Sequence, residues 1–286
     1  MLRAGPFSDE RIVRQINRRF VPLYFDLNPG GALADNKARG FVVKARKELG
    51  GASVNTPPVL VMTPDGDVLG EVDNYASEET MLDSLRDVLQ KHADWNQPSD
   101  DEKKIARSGT PLERANVLFD LGNVDAARRL LEKETGAAES ALLAHLCRLA
   151  KDWDAMEKAL ARVKGGELED DARVERAWHR YAEHDFAAAA KEVAAVGKES
   201  RRTTEARYLV GLAQWQQGKK DEALATWKAT IEHCSQDPWI YRADWAFTQA
   251  SEGSDGHGSF STGGPRTSPL GRIGYMGRRN PDLDPP

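Results

Sequence analysis

Four short junctions interrupt the second half of this chain at nearly even intervals. They are Leu121-Gly122-Asn123-Val124, Lys151-Asp152-Trp153, His184-Asp185-Phe186 and Gln217-Gly218-Lys219-Lys220. Residues 122, 151, 184 and 218 lie 29, 33 and 34 positions apart. An alanine-rich run follows each one: Asp125-Ala126-Ala127, Asp154-Ala155-Met156, Ala187 to Ala190, and Asp221-Glu222-Ala223. Between the junctions strong helix formers dominate, and strand signals are nearly lacking from Pro111 to Ala250. A helix pair buries little alone and becomes stable by stacking on its neighbours, so residues 111–250 are expected to form a stack of helix pairs.

The first third has a different rhythm. Ser8 is placed to cap a helix with Asp9 and Glu10 in its first turn and Ile12, Val13, Ile16 and Phe20 on one face. Val21 to Asp26 reads as a strand ended by Asn28-Pro29-Gly30-Gly31, and a second helix runs from about Asn36 to Leu49. Val59 to Met62 is a continuous apolar strand, Thr63-Pro64-Asp65-Gly66 a tight turn, and Val68 to Val72 the antiparallel return. A last helix begins at Ser77 and buries Met81, Leu82, Leu85, Val88 and Leu89. With 286 residues, two domains are the natural division.

Val54-Asn55-Thr56-Pro57-Pro58-Val59-Leu60-Val61 and the following turn resemble the segment of thioredoxin-fold proteins in which a cis-proline precedes the central antiparallel strand. Phe7-Ser8-Asp9-Glu10 through Asn17-Arg18-Arg19-Phe20-Val21 is similar to the passage after the active-site helix in that family. The resemblance covers residues 5 to 91. It implies that Pro57 is the cis-proline and that Thr56 and Pro57 orient an extended substrate strand. Redox-active members carry a Cys-x-x-Cys pair whose low-pKa thiolate does the chemistry. Counting back from Phe7 puts that pair before Met1, so either the chain starts late or the domain lacks its redox half.

The helix pairs resemble tetratricopeptide repeats, whose period is about 34 residues. The fourth unit carries the resemblance furthest, with Gly211, Gly218, Glu222 and Ala223 at small or turn positions and Trp227 at a bulky one, while Arg207 and Val210 depart from the pattern. The family's groove positions carry over to Asn116 and Phe119, His145 and Arg148, Trp178 and Tyr181, and Leu212 and Trp215. That set suits an extended peptide or a partner helix. Trp178, Tyr181 and Trp215 have a second reading as core between repeats. Leu112 and Leu142 stand where repeats that clamp a terminal carboxylate need polar residues, so that specificity is not expected.

Searches for other chemistry give little. Cys147 and Cys234 are far apart, with no metal-ligand or Cys-x-x-Cys spacing, and Cys147 sits on an apolar helical face. The six histidines are scattered, and no nucleotide or hydrolase motif occurs. Acidic and basic residues, 45 and 40, are interspersed with no long basic run, which argues against nucleic acid as the partner. No window is apolar enough to span a membrane, and residues 1–6 contain no apolar signal core. The literal location is cytoplasmic, or extracytoplasmic if a signal segment precedes Met1.

The expected fold is thus an α/β thioredoxin-like domain over 1–92, a linker over 93–110, an all-α tetratricopeptide-like solenoid over 111–250, and a disordered Gly/Pro/Arg-rich tail over 251–286. The function read from it is a non-catalytic adaptor that binds proteins or peptides, with no catalytic, cofactor or metal residues assigned. The alternative is a fragment of a thiol-disulfide oxidoreductase whose repeats recruit protein substrates.

Overall fold

The computed structural model describes residues 7, 9–22, 40, 44, 59–72, 77–94, 96–233, 237–251 and 280–283. Among these the chain forms twelve α-helices, two short 3-10 turns and one two-stranded antiparallel sheet. Gly40 and Lys44 are also helical. Thr56, Pro57 and Cys234 lie outside the described residues, as does most of the strand expected over 21–26. Val21 and Pro22 are not in a strand, and Val21 is exposed.

The first element, α1 (Glu10–Arg19), is capped one residue later than the sequence suggests. Asp9 takes the role expected of Ser8, because its carboxylate accepts from the Arg11 backbone N–H at 2.8 Å and also holds the Arg11 guanidinium at 2.7 Å. Strands β1 (Val59–Met62) and β2 (Val68–Val72) pair with Val59 opposite Val72 and Val61 opposite Gly70. A bulge shifts the register between Val61 and Met62. Gly66 sits at φ 95°, and the Asp67 N–H donates to Thr63 Oγ1 at 3.0 Å, which closes the turn. Helix α2 (Glu78–Lys91) starts on the Ser77 cap. Ile12, Met81, Leu82 and Leu85 form a small core against which Phe7, Ile16, Phe20 and Val59 pack.

The stretch read as a linker carries a helix, α3 (Asp100–Ser108). Ser99 and Glu102 make a reciprocal capping box, and three acidic residues fill the first turn. The Ser-x-x-Glu pattern thus marks the start of a helix in a proline-containing polar stretch.

Nine helices follow: α4 (Pro111–Asp120), α5 (Val124–Leu131), α6 (Ala137–Leu149), α7 (Trp153–Leu160), α8 (Glu169–Ala182), α9 (Phe186–Ala194), α10 (Thr203–Gln216), α11 (Lys220–His233) and α12 (Pro238–Ser251). Each consecutive pair α4–α5, α6–α7, α8–α9 and α10–α11 packs together, and α12 packs on α11. The first helices also touch one another in sequence, α4 with α6, α6 with α8, α8 with α10, and α10 with α12. Contacts of that kind between successive second helices are marginal at most among the described residues. One side of the stack is therefore a close row of first helices.

A shared local device makes the four hairpins alike. Gly122, Lys151, His184 and Gly218 all adopt the left-handed conformation, with φ between 57° and 77°. The next residue's N–H then reaches back to the carbonyl five positions earlier: Asn123 to Leu118, Asp152 to Cys147, Asp185 to Arg180 and Lys219 to Gln214. In the first three hairpins that same residue, Asn123, Asp152 or Asp185, caps the second helix through its side chain. The junction is thus one backbone motif written with different letters. In the fourth pair, Trp227 is fully buried over Gly211 and donates its indole N–H to the Tyr208 carbonyl at 3.1 Å. A Cβ on Gly211 would lie 2.6 Å from the indole Cδ1, so glycine permits this close approach.

The left-handed turns predict substitutions of opposite sign. Lys151→Gly should raise the unfolding free energy by about 1 kcal/mol, because an L-residue with a Cβ is disfavoured there. Gly122→Ala should lower it by a similar amount or more, since the new Cβ would also sit 3.3 Å from Gln15 Nε2. Urea unfolding of the two variants measures both.

Candidate partner-binding groove

The row of first helices buries charge. Glu175 on α8 is 1% exposed. Its Oε1 accepts from His145 Nδ1 at 2.9 Å and from Arg202 Nη2 at 2.7 Å, while Oε2 accepts from Arg148 Nε. Glu205 on α10 accepts from Trp178 Nε1 at 2.7 Å and from Arg202 Nε at 2.8 Å. Asp171 on α8 pairs with Arg201 at 2.7 Å. Three successive first helices are therefore joined by an ionic lattice with few unsatisfied lone pairs, the condition under which buried ions are tolerated.

This lattice extends to α1. His145 Nε2 lies 2.7 Å from Glu10 Oε2, so both imidazole nitrogens face carboxylates. Burial opposes the charged ring, yet Glu10 and Glu175 hold its pKa up at about 9. The imidazolium donates on both sides. Burial likewise opposes the Glu10 carboxylate, and His145 and Arg14 overcome it and hold its pKa far below the usual range. For Glu175, burial is overcome by Arg148, Arg202 and His145, which keep it ionised. Arg14 also reaches Asp120 at 2.7 Å and lies 4.4 Å from the Phe119 ring centre. Arg18 and Arg19 converge on buried Glu102 at 2.8 and 3.0 Å.

The carboxy-terminal half of the row holds aromatic side chains. Trp178 stands 5.9 Å from Trp239 and 6.4 Å from Tyr208, ring centre to ring centre. Tyr181 meets Trp178 edge-on at 6.1 Å. Here the chain's own residues 280–283 are packed, although the composition of 251–286 predicts disorder. Asn280 and Leu283 are 1% and 6% exposed. Leu283 joins the core that contains Tyr181, Tyr208 and Leu212. Burial of one leucine and satisfied polar contacts outweigh the local bias toward disorder.

The groove positions inferred from the sequence fall into distinct places. His145, Arg148 and Trp178 belong to one connected network. Phe119 is fully buried beneath Arg14, and Asn116 donates to the Leu112 carbonyl of its own helix at 3.0 Å. Tyr181 and Leu212 are buried in the core beneath residues 280–283. Trp215 lies on the seam between α10 and α11, 6.2 Å from Trp227 with Lys220 Nζ over its ring at 5.2 Å. Thr56 and Pro57 fall outside the described residues. Cys147 is buried at 1% exposure, and burial pushes its thiol pKa up against the pull of Arg128.

Sequence reasoning missed Glu175, Arg202, Glu205, Tyr208, Gln216 and Arg242. A signal was present: Asp171, Glu175 and Trp178 recur at spacings of four and three, as do Glu205, Tyr208 and Leu212, so each set shares a helix face. Glu175 stands opposite the bases His145 and Arg148 on the preceding first helix, while Asp171 and Glu205 meet Arg201 and Arg202 at the start of α10. No protein-family model matches the chain, and neither a curated protein nor a solved structure matches it significantly. No described helix is long and apolar enough to cross a membrane.

The ionic lattice predicts a pH dependence with a definite sign. The raised folded pKa of His145 gives stability that is complete below the ordinary value near 6.5 and is lost as pH rises through about 9. The depressed Glu10 carboxylate gives stability present above its ordinary value of 4.5 and lost as pH falls toward its folded value. Urea unfolding should therefore show stability falling between pH 6.5 and 9.5, by at most about 3 kcal/mol. His145→Asn should be less stable at pH 6.5 and should flatten that slope. An equal slope in the variant would remove His145 as its source.

Proposed function

We propose that the chain is a non-catalytic protein-binding adaptor, in which a thioredoxin-like amino-terminal domain is joined to a tetratricopeptide-like scaffold. The observation that carries this reading is that the row of first helices already receives two segments from outside itself. One is the helix α1, seated through Glu10 and Arg14 on α4 and α6; the other is the short turn at 280–283, seated on α8, α10 and α12. A surface able to hold a helix by ion pairs and a turn by aromatic and polar contacts has the chemistry of a peptide receptor.

Local structure supports both family readings. The left-handed junctions with Asx caps, the small residue under Trp227 and the touching first helices accord with tetratricopeptide-like pairs. The order of α1, the antiparallel hairpin and α2 accords with the second half of a thioredoxin-like domain. The buried, raised-pKa thiol of Cys147 makes a poor nucleophile.

The test places p-benzoylphenylalanine at Trp239, beside the aromatic cluster on the first-helix row, or at exposed Lys228 on α11. Photo-crosslinking in the full-length chain should capture a defined partner from position 239 and little from 228. Equal capture from the two positions would contradict the assigned surface. The chain should also fail to reduce insulin; reduction would overturn the non-catalytic reading.

A further inference from the structure

The seat of residues 280–283 has the composition of a recognition site for a short sequence. The Pro281–Leu283 turn is organised by Asn280, whose Oδ1 accepts from the Asp282 N–H at 3.0 Å and whose carbonyl accepts from the Leu283 N–H at 3.1 Å. This Asx-type cap pre-forms the turn and lowers the entropy cost of binding it. The Asp282 carboxylate then meets the Tyr208 hydroxyl at 2.8 Å and Arg242 Nη1 at 2.9 Å. Tyr181 donates its hydroxyl to the Asp282 carbonyl at 2.6 Å, and Gln216 Nε2 donates to the Leu283 carbonyl.

Each position of the segment is read differently. Asn280 donates its amide to the Tyr208 oxygen at 3.1 Å, and its backbone N–H donates to Gln249 Oε1 at 2.7 Å. Burial pushes the Tyr208 phenol well above its usual pKa, and the Asp282 charge adds to this, so the hydroxyl remains a donor. Leu283 fills an apolar place beneath. A side-chain amide, an acid two residues later and a leucine next to it are all checked, while Pro281 occupies the position between.

The segment is separated in sequence from α12 by 28 residues, 252–279, and contributes one turn. A single turn gives only modest intrinsic affinity. Its occupancy is favoured by covalent connection to the receptor, which supplies an effective concentration on the order of millimolar. A free partner segment with the same contacts then needs only to exceed that local concentration, or to add contacts on the neighbouring Trp178 and Trp239 faces.

Resting on the reading of the first-helix row as a binding surface, we propose that the cleft formed by α8, α10 and α12 recognises Asn-x-Asp-Leu turns in partner proteins. The chain's own Asn280–Leu283 is its displaceable resident. The partner is thus a protein with an accessible segment of that pattern. Its aspartate replaces Asp282 between Tyr208 and Arg242, and its leucine replaces Leu283.

The test is fluorescence anisotropy with a labelled peptide copying residues 278–286, titrated with three full-length chains. They are the unmodified chain, a chain with Asp282→Ala and Leu283→Ala, and that double variant with Tyr208→Phe added. The double variant should stay folded by circular dichroism and bind the peptide at least tenfold more tightly than the unmodified chain. Tyr208→Phe, or a peptide in which the first aspartate is asparagine, should weaken binding at least tenfold.

Unfolding of the double variant would overturn the proposal, because a displaceable resident is not needed for folding. Absence of saturable binding to a folded double variant, or indifference to the aspartate, would overturn it too. A stable dimer of the unmodified chain that the double variant loses would assign the segment to exchange between copies instead. Partner capture from position 239 that persists while the peptide fails to bind would reject this sequence preference and leave the adaptor reading intact.

Discussion

The Glu175 carboxylate is the group on which the centre of the molecule depends. It is nearly sealed from solvent and receives hydrogen bonds from His145 and Arg148 on α6 and from Arg202, the residue that precedes α10. A carboxylate buried with fewer partners would carry a large desolvation cost, and removing one partner from such a cluster commonly costs about 3–5 kcal/mol. The arrangement therefore fixes α6, α8 and α10 in register. Apolar packing alone, being non-directional, does not specify that register so sharply.

The same network also sets how the amino-terminal part sits. His145 passes the charge pattern outward to Glu10, and Arg14, Arg18 and Arg19 carry it along α1 to Asp120 and Glu102. α1 consequently has two loyalties. Its apolar face packs with Met81, Leu82 and Leu85, while its charged side meets α3, α4 and α6. The seat of residues 280–283 contrasts with this. Among the described residues it relies on the Arg242–Asp282 ion pair, several hydrogen bonds and a leucine, and so it is the part of the row best suited to exchange.

Much of the architecture was legible in the sequence because backbone requirements leave residue signatures. Gly122 and Gly218 mark left-handed turns, and Asn123, Asp152 and Asp185 mark the caps after the first three. Lys151 and His184 show the limit of that rule, since they adopt the glycine conformation without being glycine. The helix over Asp100–Ser108 was hidden by the polar and proline residues before it, although Ser99 and Glu102 spelled out its cap. The side-chain arrangement along the first-helix row was legible only in part. His145, Arg148 and Trp178 do meet, but burial of Glu175 and Glu205 depends on acids and bases from sequence-distant helices facing each other. Residues 280–283 were least legible, because four residues in a glycine-rich stretch gain order only from tertiary contacts.

The central claim is that one end of the first-helix row holds its segment firmly while the other end exchanges it. Amide hydrogen exchange of the full-length chain, with and without an excess of the free peptide spanning 278–286, tests this most directly. The Asp282 and Leu283 amides, which donate to Asn280, should lose protection when peptide is added, while the amides of α1 keep theirs. Unchanged protection at both sites under saturating peptide would contradict the account, as would loss of protection at α1 alone.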